Sequence, residues 1–372
     1  LKPLVFLMAL LTFNSFSQQN GVIRCYTVED DSMRHANDPN LQTNEEFEDW
    51  ITKQLEAKRK KGETQLIING VYQIPVVVHV IHNGEAIGTG TNISAAAIQS
   101  QIDVLNEDFR KLIGTPGYNT HPYGADTKIE FCLAKRRPNG TAFPAGEDGI
   151  NRVNRNTQGW VAPPFSQAFI NGTIKPWSTG TDLGGWNPAD YMNFWSANIG
   201  GGLLGWAQFP TTTLGGMSCA SQSVTTDGVV MLYSSIGKSA VTGQPGPYNE
   251  GRTATHEIGH WLGLRHIWGD GGCEVDDFVL DTPNQDNPNN TICNANPTRF
   301  SCGNNNMIQN YMDYTPDLCM NLLTKGQVER FDVVLTNSPR RASLVNSRGT
   351  KDPVLATRDV ALLGVVSPSD GD

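Results

Sequence analysis

Residues 255–266 read Thr-His-Glu-Ile-Gly-His-Trp-Leu-Gly-Leu-Arg-His. On an α-helix His256 and His260 lie one turn apart, so both imidazoles leave the same face and can share one cation. Glu257 is offset by one position, near enough to reach a water on that cation without being a ligand itself. Gly263 can adopt a left-handed backbone, which ends the helix and lets His266 return to the same ion. Three histidines with a fourth position left open make a catalytic zinc centre, whereas a structural zinc takes four protein ligands. Three of the chain's seven histidines fall in this window, which stray histidines on an amphipathic helix do not explain.

A site of this kind needs a scaffold, and 372 residues with 38% hydrophobic and only 17% charged residues can supply a large packed core. The net charge of −9 removes the basis for non-specific nucleic-acid binding. Residues 1–17 carry a lysine, an apolar stretch from Leu4 to about Phe13 and the small residues Ser15 and Ser17. This reads as a secretory signal peptide, too short to span a bilayer of about 30 Å. No other apolar run is long enough for a membrane span, so the expected location is extracellular, or the cell surface if a sorting domain follows this chain.

Beyond the signal, residues 21–42 read as polar and irregular. Thr43 and Glu46 then form a capping box, with Phe47, Trp50, Ile51 and Leu55 at helical spacing. Lys58 to Lys61 reads as an exposed linker open to a protease. The β-branched run from Tyr72 predicts a buried strand, and Ser94 opens a helix with Ile98, Ile102, Leu105 and Phe109 on one face. Further strands are expected at KIEFCLAKR, YMNFWSANIG, GLLGWAQFP and GVVMLYSSIG, giving an α/β protein of the α+β type with a mixed sheet. Residues 269–318 are rich in Asp, Asn, Pro and Cys, lack periodicity, and need staples or ions. Val328, Phe331, Val334 and Leu335 mark a last helix. Residues 346–372 read as a linker and the start of a further β-domain.

Export permits disulfides, and the odd count of seven cysteines leaves at least one unpaired within a monomer. Cys273, Cys293, Cys302 and Cys319 crowd together, while Cys25, Cys132 and Cys219 are scattered.

At the histidine segment the sequence resembles the metzincin zinc peptidases, and among them the pappalysin family. Asn310-Tyr311-Met312-Asp313-Tyr314 matches that family's Met-turn, and further matches are the GLLGWAQFP strand, Asp281 to Pro283, and LTKGQ before the last helix. The resemblance runs from about Tyr72 to Leu344. It implies a metzincin fold: a twisted mixed sheet, a backing helix, an active-site helix at the cleft, and an irregular, disulfide-stapled lower subdomain ending in a helix.

The implied activity is peptide hydrolysis by a zinc-bound water, with zinc on His256, His260 and His266 and Glu257 as general base. Tyr314 matches the tyrosine that approaches the metal and could donate to the developing oxyanion, and Met312 forms an apolar floor. Gly202, Leu203, Leu204 and Gly205 lie in the strand expected to pair with an extended substrate. Asp317 matches an acid that lines a pocket for Arg or Lys just after the scissile bond; a solvated Asp317 is the competing reading of that residue. Arg24-Cys25 resembles a cysteine-switch signature, so residues 18–60 read as a pro-segment whose Cys25 takes the zinc's fourth position, and 61–345 as the catalytic domain.

The family pattern further implies the disulfides Cys273–Cys302 and Cys293–Cys319, leaving Cys132 and Cys219 paired or free. It also implies a structural calcium on Asp277, the Leu280 carbonyl and Thr282, a site whose competing reading is a solvated acidic turn. The expected partners are protein or peptide substrates and the chain's own pro-segment, acting on a monomer. The rival functions are a silent adhesin or binding module on the same scaffold, and a zinc hydrolase acting on another bond.

Overall fold

The computed structural model describes residues 21–38, 40–61, 70–179, 186–212, 224–290 and 299–354. The signal-peptide reading, Cys219, Cys293 and nearly all of the expected C-terminal β-segment lie outside them.

The sheet is organised on β1 (Tyr72–His82), in which Ile74 to Ile81 are all buried, as expected for a strand covered on both faces. β2 (Ile129–Leu133) and β3 (Ile150–Asn154) run parallel to β1 along one edge, end to end. On the other side follow β4 (Met192–Ala197) and then β6 (Val229–Leu232), also parallel. β5 (Gly205–Ala207) closes the sheet antiparallel to β6. Only these three residues of the expected GLLGWAQFP strand pair within the sheet, which leaves the outer edge of β5 for another partner.

α3 (Ala95–Phe109), capped by Ser94, lays Ile98, Ile102, Leu105 and Phe109 against the sheet. α4 (Arg252–Trp261) is buried along its whole length and carries the histidine segment. α5 (Lys325–Asn337) starts at a capping box of Thr324 and Gln327. The core beneath them joins Val78, Phe194, Met231, Ile258, Met312 and Phe331 in one cluster. Between α4 and α5 the chain is irregular, as its composition implies. It is stapled by a disulfide between Cys273 and Cys302, whose Cα atoms are 5.3 Å apart.

The N-terminal region differs from its sequence reading. Residues 21–42 are not irregular: α1 (Thr27–Asn37) is a helix of 11 residues, with Glu29 and Asp30 in its first turn and Arg34 and His35 in its last, matching the helix dipole. It has no apolar stripe because the face it buries is polar, led by Thr27 and Asp30. α2 (Asn44–Lys60) follows from the capping box of Thr43 and Glu46 and takes in Lys58 to Lys60. The basic run expected as a linker is instead the helix's last turn, with Lys58 paired to Asp332 and Arg59 to Glu329. Phe47, Trp50 and Ile51 enter the main core, and the buried Glu48 receives Arg265 and Arg330 at 2.7–3.0 Å.

His79 on β1 is fully buried and stacked on Trp195. Asn193 donates its amide to the Trp186 and Asp227 carbonyls, so its oxygen faces His79 Nε2 at 3.0 Å, and Asn151 donates to Nδ1 at 2.9 Å. The ring is therefore neutral with its proton on Nε2, and burial lowers its pKa to about 4 from 6.5. Between those values the unfolded chain takes up a proton that the folded chain refuses, so the stability contribution is complete above pH 6.5 and is lost as pH falls. The expected loss reaches roughly 3 kcal/mol near pH 4. Thermal unfolding across this range should show one fewer proton taken up on unfolding in His79→Leu than in the parent; equal uptake by both would refute the assignment.

Candidate active site

α4 places His256 and His260 on one face with their Nε2 atoms 3.1 Å apart. Gly259 lies between them, where an added Cβ would come within 2.3 Å of Met312 Sδ, so Met312 packs directly under the helix. Gly263, at φ +90°, turns the chain out of the helix. His266 then comes back with its Nε2 3.1 Å from that of His260.

The other ring nitrogens fix the protons. His256 Nδ1 donates to the Tyr311 carbonyl at 2.7 Å and His260 Nδ1 to the Leu264 carbonyl at 2.8 Å; His266 Nδ1 faces Asp270 Oδ1 at 2.6 Å. Since a carbonyl only accepts, the two helix histidines present bare Nε2 lone pairs. Burial first, and the neighbouring imidazoles next, push both pKa values well below the usual range. Converging lone pairs cannot bond to each other, and a tetrahedral zinc about 2.0–2.1 Å from each would set them ~3.3 Å apart. Cys25 Sγ completes a set of four ligand atoms that all lie within 4.8 Å of one another. Two bare imidazole lone pairs with a third ring nitrogen and a thiol are a donor set that fits zinc.

Glu257 stands beside this set without belonging to it. Its Oε2 accepts from Thr27 Oγ1 at 2.8 Å and from Cys25 Sγ at 3.5 Å, while Oε1 has no partner among the described residues. Burial raises its pKa to about 7. Tyr314, half-buried, holds its hydroxyl 3.2 Å from His266 Nε2. Its turn is shaped by Asn310, whose side chain accepts the Met312 amide and exchanges two hydrogen bonds with Gln327.

The stretch around Cys25 lies in the cleft along residues 202–205. Ile23 donates to the Gly202 carbonyl at 2.8 Å, Leu204 donates to the Ile23 carbonyl at 3.0 Å, and Tyr26 donates to the Gly205 carbonyl at 3.0 Å. Ile23 bridges Leu203 in parallel orientation. Arg24 is buried, with Nη1 2.8 Å from Asp317 Oδ1 and its guanidinium over the Tyr248 ring at 4.4 Å. The other Asp317 oxygen accepts the Glu250 and Arg252 amides at 2.9 and 3.1 Å. Asp317 is thus wholly buried rather than solvated.

Sequence reasoning missed Thr27, which holds Glu257, and Asp270, which orients His266. Asp270 sits four residues after His266, a spacing that would have flagged it. Elsewhere, Asp277 is buried and accepts the Thr282 hydroxyl at 2.8 Å, whereas the Leu280 side chain is exposed. Cys319 is disulfide-bonded and Cys132 is unpaired.

Residues 182–336 match the peptidase M43 family model, described as pregnancy-associated plasma protein-A. An extracellular metalloprotease of Arthroderma benhamiae is 32% identical over 74% of this chain and 79% of its own length. One of Podospora anserina is 36% identical over 73% of this chain and 75% of its own. With the extracellular metalloprotease of Arthroderma otae identity is 36%, and there the chain spans 56% of the relative's length.

Among solved structures, a promirolysin variant of Tannerella forsythia superposes with a TM-score of 0.62 at 38% identity, over 80% of this chain and 91% of that one. Mature mirolysin of the same organism, in complex with a cleaved peptide, gives 0.60 at 39%, over 75% and 98%. The three-histidine centre, the Met312 floor and the mixed sheet with its backing helix therefore stand in a chain that belongs to the pappalysin family of metzincin zinc metallopeptidases.

Proposed function

We propose that the protein is a secreted zinc endopeptidase made in a latent form and cutting before Arg or Lys, with residues 18–60 as its pro-segment and 61–345 as the catalytic unit. The observation that carries this reading is the placement of two adjacent residues: Arg24 on the buried Asp317 and Cys25 among the three histidines. A basic residue beside the metal is what a pocket floored by a desolvated carboxylate selects, through a charge-assisted bond of fixed geometry. Arg24 occupies that pocket as a substrate residue would.

Zinc on the three Nε2 atoms would supply Lewis acidity, acidifying a water towards a pKa of about 7 and polarising the scissile carbonyl. Glu257 takes the proton of the attacking water and passes it to the departing nitrogen, for which the partnerless Oε1 is available. Tyr314 donates from beside His266 to the oxygen that gains charge. The backbone of Gly202 to Gly205 holds the substrate extended, as it holds Ile23 and Tyr26 in the latent chain. Latency follows from the same contacts, because Thr27 and Cys25 cover Glu257 and Arg24 fills the pocket.

The proposal includes a second staple, Cys293–Cys319, and calcium on Asp277, the Leu280 carbonyl and Thr282. Burial pushes the Asp277 pKa well up, and a divalent cation there would return it to the ionised form.

The test is mass spectrometry of peptides and proteins incubated with the full chain, zinc and calcium, beside Cys25→Ala and Glu257→Ala chains. Cuts before Arg or Lys should appear once residues 18–60 are severed, appear sooner with Cys25→Ala, and vanish with Glu257→Ala. Silence of a zinc-loaded, severed Cys25→Ala chain would leave the binding-module reading in their place.

A further inference from the structure

Beside α1, the helical stretch 167–179 carries Gln167 and Asn171, both bonded to Asp30, and then Lys175, with a π turn over Ile170–Ile174 in the run. Asp30 of α1 is 1% exposed against it. The Asp30 Oδ1 accepts from Gln167 Nε2 and, at 2.5 Å, from Asn171 Nδ2, while Oδ2 accepts from Arg34 of its own helix at 2.6 Å. Trp206 on β5 donates to Asn171 Oδ1 at 3.4 Å, which turns the amide nitrogen toward Asp30.

Lys175 is wholly buried, and its Nζ has no hydrogen-bond partner among the described residues. It lies over the rings of Trp195 and Trp206, at 5.2 and 5.6 Å. Asp30 and Asp227 are the acids it feels, while burial and Arg34 hold its pKa down to about 7. When α1 leaves, Asp30 and Arg34 leave together and water enters. Two amide donors and a recharged ammonium are then left on the cleft wall without their carboxylate.

We propose that Gln167, Asn171 and Lys175 form a subsite for an acidic substrate residue upstream of the scissile bond, with Asp30 as its resident in the latent chain. This rests on the peptidase reading above, in which the Asp317 pocket takes the residue after the cut. The chain beyond Cys25, away from that pocket, then follows the side of the residues before the cut. From Cys25 to Thr27 the path is at most ~6.6 Å of extended chain, and from Thr27 to Asp30 ~4.5 Å of helix. An extended substrate covers that distance in about three residues.

The test uses the activated, zinc-loaded enzyme and peptides with Arg after the cut and Asp, Ala or Lys at the second, third or fourth residue before it. At one of these positions Asp should exceed Lys at least about tenfold in kcat/KM at low ionic strength. The Asp-to-Ala ratio should fall toward one in Lys175→Met, and in the half-buried pair Gln167→Ala with Asn171→Ala, which guards against a folding defect at Lys175. Peptides cleaved within about twofold of each other by the parent enzyme, or ratios unchanged in both variants, would overturn the subsite while leaving the peptidase intact. Failure to cut any of them would instead sink the peptidase reading, and the subsite with it.

Discussion

Glu257→Gln should lower kcat/KM on a peptide with Arg after the cut by about 10³-fold or more, with bound zinc unchanged. Glutamine matches glutamate in shape, so the buried slot remains filled and Thr27 retains an acceptor in the latent chain. What is lost is the ability to take a proton from water and return it to the leaving nitrogen. Zinc uptake should be unaffected, since the four converging ligand atoms come from Cys25 and the three histidines and not from Glu257. Initial rates measured beside metal content separate the two roles. A rate within tenfold of the parent would remove Glu257 as the base, and lost zinc would recast it as part of the metal site.

Asp317→Asn should cost about 10²-fold or more in kcat/KM for Arg relative to Ala just after the cut. Both oxygens of Asp317 accept: one faces the Arg24 guanidinium and the other the Glu250 and Arg252 amides. An asparagine must turn its NH₂ toward one of these donor groups, so it loses a bond and the charge together in a buried site. The same substitution should loosen the latent chain, because Arg24 uses the same carboxylate. Paired rates on Arg and Ala peptides test the first effect, and the residual activity of the uncut chain tests the second. An unchanged Arg-to-Ala ratio would move the specificity away from Asp317.

The metal-binding helix was legible because its information is local. His256 and His260 are tied by helical pitch, and Gly263 supplies the turn that returns His266. β1 announced itself through its β-branched run, and α2 through the capping box and the apolar stripe of Phe47, Trp50 and Ile51. α1 was not visible, since a helix that buries Asp30 and Thr27 leaves no apolar period to find. The helical stretch 167–179 was hidden by a π turn over Ile170–Ile174, which breaks the 3.6-residue repeat, and by Gly172 and Pro176. The burial of Asp317 could not be read at all, because it depends on backbone amides more than 60 residues away in sequence.

The depth at which α2 is seated bears on how latency would end. Phe47, Trp50 and Ile51 share the core with the catalytic body, and Glu48 is held by two arginines. While residues 62–69 join α2 to β1, the segment is tethered and its docking is unimolecular. Severing that tether leaves these contacts of α2 in place; it turns docking into a bimolecular equilibrium governed by concentration and mass action. A freshly cut molecule would stay shut in a crowded secretory space and open on dilution. The onset of proteolysis would then report how far the protein has spread as well as whether it has been cut.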